Sequence, residues 1–86
     1  MYYVYILEST DDKSWYIGCT ENLRRRITEH NTRQGGRTTK TKIGGWKLIY
    51  AEAYLDKRDA FGREHFLKSG SGRRFLKKQL RNYLTP

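Results

Sequence analysis

Two short aromatic and β-branched runs near the start of the chain constrain its fold most strongly. Tyr2 to Glu8 and Trp15 to Thr20 have the composition of strands, and the polar Ser9 to Asp12 between them is typical of a turn. Two strands joined in this way form a hairpin. In a hairpin that turns through Ser9 to Asp12, Tyr5 lies opposite Tyr16, so both phenols share one face of the sheet. Ordinary packing of two tyrosines is the alternative interpretation.

The hydrophobic period becomes helical after this hairpin, because Leu23, Ile27 and His30 recur at helical spacing. Loops as long as 34–45 are often functional in a small domain. The element order is β-β-α-β-α-α within one domain that spans residues 1–86. The predicted elements after the hairpin are a first helix from Asn22 to about 31–33, a loop over 34–45, a strand over 46–55, a second helix capped by Asp56 that runs to Lys68, and a third helix over 75–84. Gly70 and Gly72 are predicted to interrupt the helical region between the last two, with Ser71 as the candidate cap.

The charge of the chain is strongly positive, with 18 Lys and Arg against 9 Asp and Glu and a net charge of +9. Such a basic field attracts polyanions, of which nucleic acid is the commonest inside cells. A merely solvated surface is the alternative, but the cations are interleaved with aromatic residues and glycine, which favours nucleic acid. The C-terminal cations are Arg63, Lys68, Arg73, Arg74, Lys77, Lys78 and Arg81.

Composition also excludes several classes of protein. The single cysteine, Cys19, rules out an internal disulfide and a cysteine-based zinc site. No apolar run approaches the roughly 20 residues that a membrane span needs. The N-terminus has no secretory signal, so we expect a cytoplasmic protein.

Glu64 is the only acid in the basic C-terminal third of the chain. On the second helix it lies within one turn of Ala60, Phe61 and Leu67, which we expect to face the sheet. A carboxylate on or beside a buried face is costly unless it is paired or binds a cation. The sequence therefore leaves two interpretations, a salt bridge to one of the arginines or a cation site.

Arg26 is the one arginine of a run of three that shares a helix face with Leu23 and His30. Arg24 and Arg25 point elsewhere, which is typical of a solvated or phosphate-contacting surface. His30 taken alone is explained equally well as a core or boundary histidine.

Together these residues resemble a known family. Tyr3-Val4-Tyr5, Tyr16-Ile17-Gly18 and the run YIGCTENLRRRITEHN are similar to the motifs of the GIY-YIG nuclease superfamily, and the resemblance covers essentially the whole chain. It is closest to small single-domain bacterial members related to the nuclease module of the excision-repair C subunit. The resemblance implies a compact α/β fold with a three-stranded antiparallel sheet flanked by helices. It also implies hydrolysis of DNA phosphodiesters with one divalent metal, Mg²⁺ or Mn²⁺, in DNA repair or processing.

Carried over by motif, the resemblance assigns the catalytic positions to Tyr5, Tyr16, Arg26, His30 and Glu64, with Glu64 as the metal ligand. Tyr16 would position and deprotonate the attacking water, and Arg26 would pair with the phosphate. Tyr5 and His30 would hold the phosphate or relay a proton. Three positions depart from the family pattern: Tyr3 replaces a glycine, Cys19 replaces a lysine that some relatives carry, and the only asparagine after Glu64 is Asn82.

DNA is the expected partner, and the sequence leaves RNA open. We expect a monomer that does not associate with a membrane. We also expect that an unidentified protein partner recruits it to its target. A non-catalytic nucleic-acid binder is the alternative function, and an adaptor that docks on an acidic protein is a third. The expected nucleic-acid contacts are Arg24, Arg25, Arg37, Lys40, Lys42, Arg73, Arg74, Lys77 and Lys78.

Overall fold

The computed structural model describes residues 1–32 and 45–85, which form a three-stranded sheet with helices on both faces. Both strand pairings are antiparallel, and β1 lies between β2 and β3. The predicted α/β fold is confirmed, while most of the predicted loop over 34–45 lies outside the described residues. The elements are β1 (Tyr2–Ser9), β2 (Trp15–Thr20), α1 (Leu23–Asn31), β3 (Trp46–Tyr54), α2 (Lys57–Lys68), α3 (Gly70–Gln79) and α4 (Arg81–Leu84).

The register of the hairpin differs from the sequence prediction by two residues. Tyr5 lies opposite Gly18, and Tyr16 lies opposite Leu7. The reason is the turn, which is closed by a bond from the Ser9 amide to the Ser14 carbonyl at 2.8 Å and is therefore longer than predicted. Because side chains alternate with a period of two, a shift of two residues leaves both tyrosines on the predicted common face.

Helices cover both faces of the sheet, so β1 is buried on each side. On one face Val4, Ile6 and Ile17 pack against residues of α2 and α3. On the other face Tyr5 and Leu7 pack against α1. This double burial explains why β1 is apolar at nearly every position instead of alternating with polar residues.

Local capping chemistry fixes where two of the helices begin. The Asn22 side chain accepts a hydrogen bond from the Arg25 amide at 3.0 Å, and the Asp56 side chain accepts one from the Arg58 amide at 2.8 Å. Each satisfies an N–H group that the first helical turn leaves without an intrahelical partner. Both caps are as predicted.

The helical region is interrupted after Lys68 as predicted, but the break lies at Ser69 and not at Gly70 and Gly72. Both lie inside α3, whose cap is Ser69, because the Ser69 hydroxyl accepts from the Gly72 amide at 3.1 Å. A Cβ atom at Gly72 would lie 2.0 Å from the Phe66 carbonyl oxygen. Gly72 therefore permits α3 to pack against the end of α2. The predicted helix over 75–84 is divided at Leu80, which separates α3 from α4.

A hydrogen-bonded network holds α2 against β3. Arg63 donates from Nε and Nη2 to the two oxygens of Glu52, at 2.9 and 3.0 Å, and Tyr54 donates to the same carboxylate at 2.7 Å. The guanidinium also lies 4.4 Å from the centre of the Phe75 ring. Paired and bidentate charges of this kind are directional, so the network fixes the rotation of α2 and with it the position of Glu64.

A buried carboxylate attaches the C-terminal helix to the hairpin. Glu8 accepts hydrogen bonds from the Trp15 indole at 3.0 Å and from the Tyr83 hydroxyl at 2.6 Å. Burial opposes ionisation of Glu8, but the hydrogen bonds from Tyr83 and Trp15 outweigh it, and the pKa of Glu8 lies below its ordinary value.

We expect the substitution Tyr83→Phe to destabilise the protein by about 1–3 kcal/mol at neutral pH, because it leaves a buried carboxylate oxygen without its donor. Urea unfolding measures the change, with Tyr3→Phe as the control for loss of a phenol. Because the pKa of Glu8 is lowered on folding, this stabilisation is present above the ordinary value of 4.5 and is lost as pH falls through the lower folded value. A difference between the two proteins that stayed constant down to pH ~2 would contradict this assignment.

Candidate active site

The candidate site is built on a close contact between a tyrosine and a glycine. Tyr5 projects from the central strand, and its ring lies over Gly18 of the edge strand β2. A Cβ atom at Gly18 would lie 2.6 Å from the Tyr5 hydroxyl and 3.0 Å from Cε1 of Tyr16. Only glycine leaves room for both phenols here. The motif contained Gly18, but sequence analysis gave it no role because the contact is tertiary.

The hydroxyl of Tyr5 forms a hydrogen bond with His30. The two groups are 3.2 Å apart, from Tyr5 Oη to His30 Nε2, and Nη2 of Arg26 lies 3.4 Å from the same nitrogen. A guanidinium can only donate, so Nε2 is the acceptor and Tyr5 donates to it as well. Burial, followed by the positive charge of Arg26, lowers the pKa of His30. The imidazole is therefore neutral at pH 7, with its hydrogen on Nδ1.

Aromatic rings enclose His30, which is only 2% exposed. The Tyr16 ring meets it edge-on, with centroids 4.6 Å apart, and the Trp46 ring lies 6.5 Å away. Within residues 1–32 and 45–85, neither His30 Nδ1 nor Trp46 Nε1 has a hydrogen-bond partner. His30 is thus both a core residue and the side chain that joins the two tyrosines.

Asn31 fixes the end of α1 to the start of β3. Its side-chain amide donates to the Trp46 carbonyl at 3.1 Å and accepts from the Trp46 amide at 2.7 Å. This pair of bonds imitates the contact between neighbouring strands, and it holds the helix turn that carries His30. The sequence motif included Asn31, but its partner is distant in sequence and could not be read from the pattern.

Arg26 lies beside Tyr5 with its guanidinium held by Glu29. Nη1 donates to Glu29 Oε1 at 2.9 Å, and the side chain is partly exposed. The Tyr5 hydroxyl contributes most to raising the pKa of Arg26, and Glu29 adds to the effect. Burial raises the pKa of Tyr5, an effect that Arg26 only partly offsets. Arg26 is therefore a permanent cation, and Tyr5 keeps its proton at neutral pH.

Glu64 comes from the layer on the opposite face of the sheet. Its side chain is 22% exposed, and its Oε2 lies 3.0 Å from Nζ of Lys68, so its partner is a lysine one turn later and not an arginine. Burial is the main cause of the raised pKa of Tyr5 and of Cys19, and the negative charge of Glu64 adds to both. Its partner Lys68 lines a cavity together with Tyr16 and Ile17, so the carboxylate lies on the side of α2 that is next to the edge strand β2.

The structure therefore brings four of the five predicted catalytic residues into one cluster: Tyr5, Tyr16, Arg26 and His30. Glu64 interacts with this cluster through its charge and not by a hydrogen bond. The expectation that its neighbours face the sheet holds for Ala60 and Leu67, which are buried. It is wrong for Phe61, which is 50% exposed because it lies at the margin of the α2 contact.

The predicted nucleic-acid residues that the structure describes are all exposed: Arg24 and Arg25 on α1, and Arg73, Arg74, Lys77 and Lys78 on α3. Arg37, Lys40 and Lys42 lie outside the described residues. Lys68 is a further cation near the site, and the i,i+4 spacing from Glu64 was the sequence signal for it.

A metal ion would find few protein ligands here. In the described part of the chain, no three His, Cys, Asp or Glu side chains gather into a metal site. Glu64 alone fits an ion that keeps most of its water shell, which is a property of Mg²⁺. The Lys68 ammonium lies 3.0 Å from this carboxylate, so an ion would have to displace it.

No helix among the described residues has the length and apolar character to cross a membrane.

The protein-family model described as the GIY-YIG catalytic domain matches residues 1–79 of this chain. A UPF0213 protein of Clostridium perfringens is 44% identical over 68 residues, which are 79% of this chain and 71% of that protein. A UPF0213 protein of Limosilactobacillus reuteri is 41% identical over 68 residues, 78% of this chain and 70% of that protein. The solution NMR structure of the UPF0213 protein BH0048 from Bacillus halodurans has 37% identity and a TM-score of 0.54, and the match covers 96% of this chain and 85% of that one.

We expect Gly18→Ala to destabilise the protein by about 1–3 kcal/mol, because the added methyl group displaces the Tyr5 and Tyr16 rings. Chemical denaturation measures the loss. The matched control is Gly62→Ala in α2, where a Cβ atom meets nothing within 4 Å. The stability of that variant should increase by about 0.5–1 kcal/mol, because alanine has a higher helix propensity than glycine. Equal effects of the two substitutions would refute the close contact.

We expect the stability of the protein to fall as pH drops below about 6.5, the pKa of an unperturbed histidine. Because the pKa of His30 is lowered by folding, the unfolded chain takes up a proton at a higher pH than the folded protein does. As pH falls, the free energy of unfolding therefore decreases by up to ~1.4 kcal/mol per pH unit until the pKa of the folded state is reached. His30→Gln should remove this part of the slope between pH 5 and 7. His65→Gln, at an exposed position of α2, is the control and should retain the slope.

Proposed function

The chain belongs to the GIY-YIG family of nuclease domains, and from that premise we propose that it hydrolyses DNA phosphodiester bonds at Tyr5, Tyr16, Arg26, His30 and Glu64. The observation that carries this proposal is the Tyr5 hydroxyl, which lies between a permanent cation and a neutral imidazole, beside a second phenol. A hydrophobic core does not need this combination of groups. Phosphoryl-transfer chemistry uses each of them.

Arg26 neutralises the phosphate. Hydrolysis of a phosphodiester adds negative charge to the non-bridging oxygens, and preorganised donors that meet this charge lower the barrier. Glu29 occupies Nη1 at 2.9 Å, which fixes the plane of the guanidinium. Nη2 lies 3.4 Å from His30 Nε2, so the N–H groups left for phosphate oxygens are that of Nε and the second hydrogens of Nη1 and Nη2.

Tyr5 and His30 act as a hydrogen-bonded pair. The pKa of Tyr5 is raised and that of His30 is lowered, so the proton stays on Tyr5 and the phenol acts as a hydrogen-bond donor and not as a base. The Nε2 atom of His30 lies 3.2 Å from the Tyr5 hydroxyl and holds it in place beside Arg26. Tyr16 lies against the His30 ring and would orient the attacking water from that side. This division assigns positioning of water to Tyr16 and holding of the phosphate to Tyr5 and His30.

Glu64 would hold a divalent cation, Mg²⁺ or Mn²⁺, through one carboxylate bond. When bound, the ion supplies a Lewis acid for the phosphate oxygens and a source of acidified water. Lys68 must leave the carboxylate for this to happen. Its side chain is 54% exposed, so the exchange requires only rotation of a surface lysine.

A non-catalytic nucleic-acid binder is the second candidate, and one observation favours it. An isolated acid in a basic region would repel phosphate, but the ion pair with Lys68 neutralises Glu64. A binder without a metal is therefore compatible with the same arrangement of side chains. Metal dependence of cleavage separates the two functions.

We expect Glu64→Gln to lower Mg²⁺-dependent cleavage of DNA by at least about 100-fold, the usual cost of losing transition-state charge stabilisation. DNA binding should stay within a factor of about two, because phosphate affinity is spread over many cations. The assay uses duplex, branched and single-stranded substrates with Mg²⁺ or Mn²⁺ and an EDTA control.

The matched control is Asp59→Asn, which removes a negative charge from the first turn of the same helix. It should leave cleavage unchanged. Full activity of the Glu64 variant would exclude Glu64 as the metal ligand. Binding without cleavage by the unaltered protein, on every substrate and with either metal, would establish the second candidate.

A further inference from the structure

We propose that a groove beside the catalytic cluster binds one DNA strand and leads it from Tyr16 to the tip of the hairpin. The inference rests on the proposed function and names the surface that it uses. Two adjoining cavities form this hairpin groove. The first is lined by Tyr16, Lys68 and Arg73, and the second by Lys13, Ser14 and Lys77. Trp15 and Arg73 line both, so the two cavities adjoin each other.

The charge of the hairpin groove suits a polyanion. Its cations are Lys13, Lys68, Arg73 and Lys77, and they occur along its whole length. The nearby acids are engaged with other groups. Glu64 pairs with Lys68 at 3.0 Å, and Asp12 accepts from the Ser14 amide at 3.0 Å. No acidic side chain lines either cavity in the described residues. A row of cations that ends at a catalytic tyrosine fits a sugar–phosphate backbone better than a compact anion.

Trp15 lies between the two halves of the groove with a fixed orientation. Its indole N–H donates to the buried Glu8 at 3.0 Å, and this bond also positions the ring that lines both cavities. An aromatic ring held in advance loses little entropy when a nucleotide packs on it. A groove that only carried cations would attract phosphate, whereas a fixed indole among them also provides a surface for a sugar or a base.

Lys13 is held in a conformation that lysine rarely adopts. Its φ angle is 64°, and within residues 1–32 and 45–85 it is the only residue other than glycine with a positive φ. Glycine, asparagine and aspartate occupy such turn positions at lower cost. The ammonium at this position lines the far end of the groove. Backbone strain that supplies a charge at a binding surface is consistent with a functional role.

Helix α3 separates its four cations into two pairs. Arg73 and Lys77, one turn apart, line the hairpin groove. Arg74 and Lys78 are also one turn apart but face about 100° away, and Arg74 donates to the Ser71 hydroxyl at 3.0 Å. Sequence analysis treated all four residues alike. The proposal assigns the bound strand to the first pair only.

The test compares two double variants that remove the same charge from the same helix. One variant is Arg73→Ala with Lys77→Ala, and the other is Arg74→Ala with Lys78→Ala. Fluorescence anisotropy measures the affinity for a labelled DNA oligonucleotide at several salt concentrations. The buffer contains EDTA, so no cleavage occurs. The first variant should reduce the slope of log affinity against log salt by about 1.4–1.8, which corresponds to two lost phosphate contacts. The second should leave it nearly unchanged.

A third variant, Lys13→Asn, separates binding from folding. Asparagine tolerates a positive φ, so the melting temperature should be equal to or higher than that of the unaltered protein. The salt slope should nevertheless fall by about 0.7–0.9, the value for one phosphate contact. A Lys13→Asn variant that folds normally and keeps the full slope would overturn the role of the hairpin tip.

Equal losses in the two double variants would show that binding depends on total charge and would refute the hairpin groove. Failure of the unaltered protein to bind DNA in EDTA would also refute the hairpin groove. The same conclusion would hold if the protein bound acidic polypeptides but not DNA. The proposed hydrolysis is tested separately by metal-dependent cleavage. Binding through the groove without cleavage would therefore leave this inference standing and remove only the catalytic proposal.

Discussion

The Tyr5 ring can lie across the sheet only because residue 18 has no side chain, and the geometry of the site depends on that contact. The Tyr5 hydroxyl reaches the edge of the sheet, where His30 and Arg26 meet it from α1. The charge of Glu64 acts on it from α2, on the other face. A side chain at residue 18 would displace the rings of Tyr5 and Tyr16. The absence of a side chain on this edge strand therefore decides where the phenols of the candidate site lie.

One strand supplies both the core and the chemistry. Alternate residues of β1 project to opposite faces, so Val4 and Ile6 pack under α2 and α3 while Tyr5 faces α1. Rigid packing on the first face fixes the backbone from which Tyr5 projects. The phenol of Tyr5 therefore gains its position from packing on the opposite face of the sheet, which preorganises the candidate site in a chain of 86 residues.

Features that depend on local chemistry were predictable from the sequence. Capping by Asn22 and Asp56 depends only on residues two or three positions further along the chain. The hairpin follows from local composition. The register was missed because the turn extends to Ser14 through a lysine with positive φ, for which sequence gives no signal. Gly72 was misinterpreted because a glycine that breaks a helix and one that admits a neighbouring helix have the same local pattern. Motif resemblance selected the candidate site residues, and four of them do lie in one cluster, but it gave no signal that Glu64 comes from the other layer.

The two hydrogen bonds between Asn31 and Trp46 have a consequence for how the domain can be modified. They join the last residue of α1 to the first residue of β3, as a strand partner would. The separation of His30 from Trp46 therefore depends on Asn31, a residue that belongs to neither the tyrosines nor the histidine of the cluster. A substitution of Asn31 would loosen the tyrosine–histidine cluster while leaving every side chain of that cluster unchanged.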